Sequence, residues 1–408
     1  MSELRGANNR IVAGGRVSTW ADLDTLPMPA VSAVFGHGHL AAARAVWTHL
    51  NGEHESLIAA DTRVDEALTT DLLDNGFAVL TPGTDGKLSV REPETPAQAD
   101  PGRVWLLTSG STGRPKRVAH TLTSLTTVTT DQPARTWLCP YTPGAYAWWQ
   151  VVTLSLTLPD QHVVFVEPDE LATWPALALE HGVTAASGTP TFWRQALFNS
   201  GETMQQLQLE QVTLGGEPVD QAILDRLREL YPNARVSWIY ASSEAGAAIA
   251  VHDGLAGFPE AWLNRDAPDR PRLSVDGEEL LIASKWQAAG MGEQLRTGDR
   301  VEIRDGRVHI VGRLASDEIN VGGSKASASE VRSVLLNHPA VAWAAVRGRK
   351  APLVGTMVVA EVVLESGAEV TDADLVAWCS ERLSDYAVPR RIRILPEIPI
   401  KETLKSDV

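Results

Sequence analysis

Apolar and polar positions fall into short blocks along the chain, and the blocks switch between two periods. Compact apolar runs bounded by Gly, Pro or polar residues predict buried strands at 56–60, Phe77–Leu80, Val104–Leu107, His162–Val166, Val183–Ser187, Gln211–Leu214 and Arg235–Tyr240. Between them, apolar residues recur three and four apart. These stretches predict helices over Ala41–Leu50, Leu171–His181 and Pro190–Asn199, and a fourth after Asp220 with Ile223, Leu224, Leu227 and Leu230 on one face. The punctuation agrees: Gly182 closes the second helix, Thr189 and Pro190 open the third, Gly201 ends it, and Pro232 stops the fourth. Strand and helix alternating at this spacing means a largely parallel sheet, whose ligands sit at the carboxyl ends of the strands.

Past residue 296 the pattern changes. Val301–Arg304 and Arg307–Val311 read as a hairpin around Asp305-Gly306. A helix over Ser329–Asn337, strands at 341–347 and 356–364, a helix over Thr371–Ser384 with Thr371 and Asp374 as a capping box, and a strand over Arg391–Leu395 follow. The expected fold is α/β: a large N-terminal domain of mainly parallel sheets with packed helices over 1–313, a hinge at 314–317, and a small mobile α+β domain over 318–408.

Composition narrows the function. The 408 residues allow two or three domains; 44% are hydrophobic and 21% charged, enough for a full core. A net charge of −15 argues against nonspecific binding to nucleic acid or anionic membranes, though a local basic loop can still hold ATP. The two cysteines, Cys139 and Cys379, lack metal-ligand or CxxC spacing, which suits a reducing cytoplasm. The first ten residues, MSELRGANNR, contain no apolar core of a signal peptide, and no apolar run reaches the ~18 residues of a membrane span. His37, His39, His49 and His54 cluster in sequence without an HxxxH or HExxH frame, so a metal site there is not expected.

Chemistry concentrates after the Val104–Leu107 run. Thr108, Ser109, Gly110, Ser111, Thr112, Gly113, Arg114, Pro115 and Lys116 form a small, hydroxylated, basic loop. Glycines let backbone N–H groups converge, hydroxyls add donors, and Lys116 adds charge, which makes a cradle for a polyphosphate. The spacing is not that of a Walker loop. A second constellation, Tyr240-Ala241-Ser242-Ser243-Glu244-Ala245-Gly246, sets a carboxylate beside hydroxyls at a strand exit, which suits a Mg²⁺ ion that keeps waters and bridges phosphates. Gly215, Gly216 and Glu217 form another glycine-rich exit. Asp299, in Arg296-Thr297-Gly298-Asp299, can accept two hydroxyls at once.

The phosphate loop resembles that of the AMP-forming adenylating enzymes, the superfamily of acyl-CoA synthetases, peptide-synthetase adenylation domains and luciferases. The other motifs resemble this superfamily in order over residues 104–408; the first hundred residues resemble it only loosely and look short. The resemblance implies that Tyr240 stacks on adenine, Ser243 works at the α-phosphate and Glu244 binds Mg²⁺. It also implies that Gly215, Gly216 and Glu217 border the adenine, Asp299 holds the ribose and Arg313 contacts the nucleotide. Ser243 replaces the usual Thr, and Ala241 the usual Gly, which should narrow the acid pocket. Trp148, Trp149 and Gly188 are further pocket candidates. The hinge falls at Ser316 or Asp317, and Gly323 matches the glycine that approaches a pantetheine thiol. Lys405 takes the place of the catalytic lysine, with Leu404 where Gly is usual and Lys401 as a nearby decoy. The activity implied is ATP- and Mg²⁺-dependent conversion of a small or aromatic carboxylic acid to an acyl-adenylate, then transfer to CoA or a carrier-protein phosphopantetheine. The alternatives are an amine or other acceptor, or a degenerate non-catalytic binder; Arg117, Leu404 and the short front end favour the latter. A phosphotransferase is disfavoured because no Walker or kinase signature is present.

Overall fold

The computed structural model describes residues 4–83, 87–108, 115–267, 270–314, 317–351, 355–399 and 404. An eight-stranded sheet runs Gly246–Val251, Arg235–Ser242, Gln211–Gly215, Ala185–Gly188, Arg135–Cys139, Gln161–Phe165, Arg10–Ala13, Arg16–Thr19. Its interior pairs are parallel and its two end pairs antiparallel. A six-stranded sheet runs Leu88–Arg91, Ala78–Pro82, Val31–Gly36, Glu55–Ala60, Arg103–Thr108, Lys116–Thr121, again parallel inside and antiparallel at both ends. Hydrophobic residues of both sheets share one core, with the helices Gly38–Leu50 and Tyr146–Thr157 contributing to it. The strand runs and the helix after Asp220 lie where the apolar pattern placed them. Asp220 accepts from the Ile223 N–H and Thr189 from the Phe192 N–H, the two expected caps.

Several strands escaped the pattern. Lys116–Thr121 and Arg16–Thr19 are edge strands rich in polar residues, and Arg135–Cys139 is masked by the aromatic segment that follows. Gly201 does not end the chain's helical run but opens a second short helix, Gly201–Gln206. The helix expected from Leu171 begins later, at Trp174, after a separate 3₁₀ turn at Pro168–Glu170 that is capped by Glu167.

An antiparallel five-stranded sheet follows, and its last hairpin, Leu295–Arg304 with Arg307–Arg313, turns at Asp305 and Gly306, both at positive φ (52° and 69°) as a twisted two-residue turn requires. The next strand begins at Glu318. Asp317 is buried and its carboxylate accepts from Ser327 Oγ (2.6 Å), Ser329 N (2.8 Å) and Ser329 Oγ (2.5 Å), which ties it to the C-terminal side; Ser316 lies outside the described residues. The three-stranded sheet Val341–Ala351, Gly355–Leu364, Arg391–Leu395 packs with helices Ala328–Leu336 and Asp372–Ser380 around its own core, and the Thr371–Asp374 capping box is present. This α+β unit meets the rest of the chain along the helix Pro190–Asn199. Phe198 packs on the Trp343–Ile398 cluster, and Arg194 Nη1 donates to the Ala342 carbonyl at 3.0 Å.

The histidine cluster is structural in its two buried members. His39 stacks on Phe165 (4.7 Å), donates through Nε2 to the Val166 carbonyl (3.0 Å) and accepts through Nδ1 from Trp148 Nε1 (3.1 Å). Protonation would turn Nδ1 into a donor facing a donor, inside a dry core. Burial lowers its pKa to about 4, opposed in part by the Val166 bond, and burial with the nearby His54 does the same for His49. In the unfolded chain both titrate near 6.5. The unfolded state therefore binds more protons between these values, and stability is full above about pH 6.5 and falls as pH drops toward 4. Each group should contribute about 3 kcal/mol to that fall. His39→Gln is expected to be less stable at pH 7 but to show a shallower loss between pH 6.5 and 4 in denaturant unfolding; an unchanged slope would contradict the assignment.

Candidate active site

The carboxyl ends of Ala185–Gly188, Gln211–Gly215 and Arg235–Ser242 lie side by side in register, and a cavity of about 1350 Å³ opens over them. Ser187, Thr189, Gly215, Gly216 and Glu217 line it from the first two strand exits, and Tyr240 to Glu244 from the third. Thr108 reaches it from the end of the six-stranded sheet, and Thr297, Asp299 and Arg313 from the five-stranded sheet. Segments from Thr108 to Arg313, far apart in the chain, thus face one space.

Local geometry follows from a few anchors. The turn after Tyr240 carries a bulge at Tyr240/Ala241 and closes on Gly246, at φ 76°, where a Cβ would sit 2.6 Å from the Trp286 carbonyl. His120, near the end of Lys116–Thr121, donates from Nε2 to the Ser243 carbonyl at 2.7 Å, and Ala288 N donates to the Glu244 carbonyl at 2.9 Å. The turn that presents Ser243 and Glu244 is therefore held from outside. Burial lowers the His120 pKa, while the Ser243 bond and the Glu244 charge oppose this, so the ring is a neutral donor. Tyr146 supplies another brace, its hydroxyl oxygen accepting from Ala247 N at 2.9 Å.

Among the described residues the Glu244 side chain has no hydrogen bond or ion pair. Among the described residues no group of three or more His, Cys, Asp or Glu side chains could hold a metal. A single free carboxylate beside hydroxyls fits a Mg²⁺ ion whose remaining ligands are waters and phosphates, not an all-protein cage. Asp299 is buried; Tyr240 donates its hydroxyl to Oδ2, and Arg313 Nε contacts Oδ1 at 2.9 Å. Burial, then the Asp299 charge and this bond, push the Tyr240 pKa up, so the phenol stays protonated.

Some expected site residues lie elsewhere. Trp148 and Trp149 are not pocket walls but core: both are at most 1% exposed. The helix Tyr146–Thr157 turns Tyr146, Ala147, Gln150, Val151 and Leu154 to the cavity, and the two tryptophans fall on its other face against Phe165 and each other. Trp137 and Tyr141, from the same aromatic segment, do line the cavity. Gly188 packs under Phe192, where a Cβ would come 2.2 Å from the ring, and only its neighbours Ser187 and Thr189 face the cavity. Ala241 lines it as expected. Lys116 is exposed at the start of its strand, paired opposite Thr108, and is not in the cavity wall. Gly323 sits in the exposed turn of the hairpin Glu318–Val321 and Ser324–Ser327, away from the cavity. Ser109, Gly110, Ser111, Thr112, Gly113 and Lys405 lie outside the described residues.

Two features join residues whose contacts with each other the sequence did not signal. The first is a buried charge group at the rim. Arg194 Nη2 reaches both oxygens of Asp220 at 2.7 Å, Glu217 accepts from Thr191 N at 3.0 Å, and the half-buried Arg332 of the small domain faces Glu217 and Asp220. Burial pushes Asp220 up, but the charge and hydrogen bonds of Arg194, the Ile223 N–H and the Arg332 charge together outweigh it and leave the carboxyl below its usual range. The second is Leu404. It is fully buried in the N-terminal core, sits at φ 60°, and its carbonyl accepts from the Thr189 hydroxyl. The left-handed backbone that a glycine would take here without strain is thus kept, with burial of the Leu side chain as compensation. Thr189→Val keeps the shape, removes this donor and costs the helix cap about 1 kcal/mol. We expect Thr189→Val to unfold at a lower denaturant midpoint than wild type, with Thr189→Ser restoring the midpoint; equal midpoints in the two variants would contradict the role.

Residues 31–275 match the AMP-binding enzyme family, and residues 330–405 match the AMP-binding enzyme C-terminal domain. The chain belongs to the AMP-binding enzyme family. Human mitochondrial malonate–CoA ligase is 38% identical over 154 residues, 38% of this chain and 24% of that protein. A dimodular nonribosomal peptide synthase of Bacillus subtilis is 27% identical over 74% of this chain, which spans 14% of its length. The 2-succinylbenzoate–CoA ligase of the same organism is 27% identical over 76% of this chain and 68% of its own. The fold matches the crystal structure of an anthranilate CoA ligase with anthranoyl-AMP (TM-score 0.74, 17% identity, 98% of this chain and 93% of that one). It also matches the amide bond synthetase McbA from Marinactinospora thermotolerans (TM-score 0.71, 22% identity, 99% and 96%). Among the described residues no helix is long and apolar enough to cross a membrane.

Proposed function

We propose that this chain activates a carboxylic acid with ATP, forming an acyl-adenylate and pyrophosphate, and then passes the acyl group to a thiol such as that of CoA. One observation carries the reading: Thr108, the pair Ser243 and Glu244, Asp299 and Arg313, which belong to separate motifs, line one cavity. A carboxylate oxygen attacks the α-phosphorus, the bond to the β-phosphate breaks, and pyrophosphate leaves. A thiolate then attacks the acyl carbon and AMP leaves.

The first step brings two anions together, so the site must supply positive charge where the transition state gathers it. Ser243 would donate at the α-phosphate, Asp299 would hold the ribose hydroxyls, and Arg313 would orient both Asp299 and the nucleotide. Glu244 would hold Mg²⁺, which supplies charge neutralisation to the phosphates when bound. The acid would lie against Trp137, Tyr141, Tyr146, Val151 and Ala241, an aromatic-walled space that suits a small or aromatic acid. The relatives support this reading, since several are named CoA ligases; the amide bond synthetase fold neighbour keeps an amine acceptor in the test.

The test is pyrophosphate release from ATP and Mg²⁺ across aliphatic, aromatic and dicarboxylic acids, with CoA, a carrier-protein phosphopantetheine or an amine as acceptor. Acid-dependent release, with AMP and thioester formed in equal amounts when CoA is present, is expected. ATP binding without acid-dependent release from any acid would overturn the reading.

A further inference from the structure

Cationic side chains in the cavity wall are nearly all matched. Arg296 pairs with Asp276 (2.8 Å) and Glu279, Arg300 with Glu302 (3.2 Å), and Arg313 with Asp299, while Arg332 faces Glu217 and Asp220. Arg304 is exposed to solvent. Arg63 differs. It is half-buried, lines the cavity beside Leu107 and Thr108, and has no carboxylate partner among the described residues. Its Nη2 donates to the Leu107 carbonyl at 3.2 Å, which pins the guanidinium at the end of the strand Arg103–Thr108. Asp61, two residues away, is engaged by His37 at 3.0 Å.

We propose that Arg63 is an anion-binding subsite of this cavity, taking a phosphate or carboxylate oxyanion at the end marked by Thr108. The proposal deepens the adenylation reading and rests on it for the identity of the anion. Removing a guanidinium from water without a carboxylate partner is costly, and burial alone draws the Arg63 pKa below its ordinary value with no charge opposing it. A bound oxyanion removes that penalty. The planar fork has five donors, and one Leu107 carbonyl uses only part of them, so the remainder can meet two oxygens of one anion. The reaction offers two such groups: the terminal phosphates of ATP, which leave as pyrophosphate, and a second carboxylate on the acid. Each would reach Arg63 from inside the same cavity.

Binding measurements on the full chain separate these sources without needing turnover. Inorganic pyrophosphate with Mg²⁺, and a matched pair of mono- and dicarboxylic acids, are titrated calorimetrically into wild type, Arg63→Gln and Arg63→Lys. Loss of one charge-assisted hydrogen-bonded contact predicts a tenfold to hundredfold weaker affinity, on the order of 1.5–3 kcal/mol, in Arg63→Gln for one probe. Arg63→Lys should recover part of it. Weakened pyrophosphate with unchanged acids marks the phosphate source. Weakened dicarboxylate with unchanged monocarboxylate and pyrophosphate marks the acid source. Affinities of all three probes within twofold of wild type in both variants, or no binding of any probe to wild type, would overturn the subsite. Arg63→Lys keeps the charge and the test alive if Arg63→Gln does not fold. A wild type that binds pyrophosphate through Arg63 but releases none from ATP with any acid would sink the adenylation reading alone.

Discussion

Lys405→Ala is expected to lose acid-dependent pyrophosphate exchange by about a hundredfold to a thousandfold, the scale for one group that stabilises transition-state charge. Consumption of a synthetic acyl-adenylate with CoA should continue near the wild-type rate. The reason is positional. Lys405 follows Leu404 directly, and Leu404 is held twice, by its side chain in the N-terminal core and by its carbonyl on the Thr189 hydroxyl. Thr189 itself lines the cavity. Under the proposed chemistry a lysine next to Leu404 would serve the step in which carboxylate and phosphate meet; thiol attack on a finished adenylate gathers no such charge. Lys401→Ala, four residues earlier, is expected to leave exchange unchanged. Equal loss of both half-reactions in Lys405→Ala would remove the assignment.

Glu244→Gln carries the second large effect. Exchange should fall about a hundredfold, and the Mg²⁺ concentration for half-maximal rate should rise, because a neutral amide is a poor ligand for a hard cation. Thermal stability should stay near wild type, since the Glu244 carboxylate has no hydrogen bond or ion pair among the described residues and the turn is held through backbone groups by His120 and Ala288. A normal Mg²⁺ dependence with a lower melting temperature would assign Glu244 to structure instead.

What was legible in the chain depended on whether the signal was local. The caps at Thr189, Asp220 and Thr371 and the Asp305-Gly306 turn are contests between a side chain or a backbone angle and its immediate neighbours, and each stands where its residue type predicts. Buried strands were visible because both faces are covered, so their apolar runs are continuous. The edge strand Lys116–Thr121 was not, since one side of it meets solvent and its residues are mixed. The Trp148 and Trp149 assignments failed for a related reason. Aromatic residues mark a region of high burial, but which of them faces a cavity depends on how the helix is rotated against its neighbours.

By itself the sequence determined the alternating architecture, the motif order and the chemistry available: hydroxyls, carboxylates at strand exits and lysines. Those are properties of residue types and short spacings. Only the tertiary structure decided that Thr108, Tyr240 to Glu244, Asp299 and Arg313 share a cavity, that Arg63 stands there with no carboxylate partner among the described residues, and that Leu404 is fastened to Thr189. Each of these joins segments far apart in the chain, and such contacts are set by packing of sheets and helices, which no local pattern encodes.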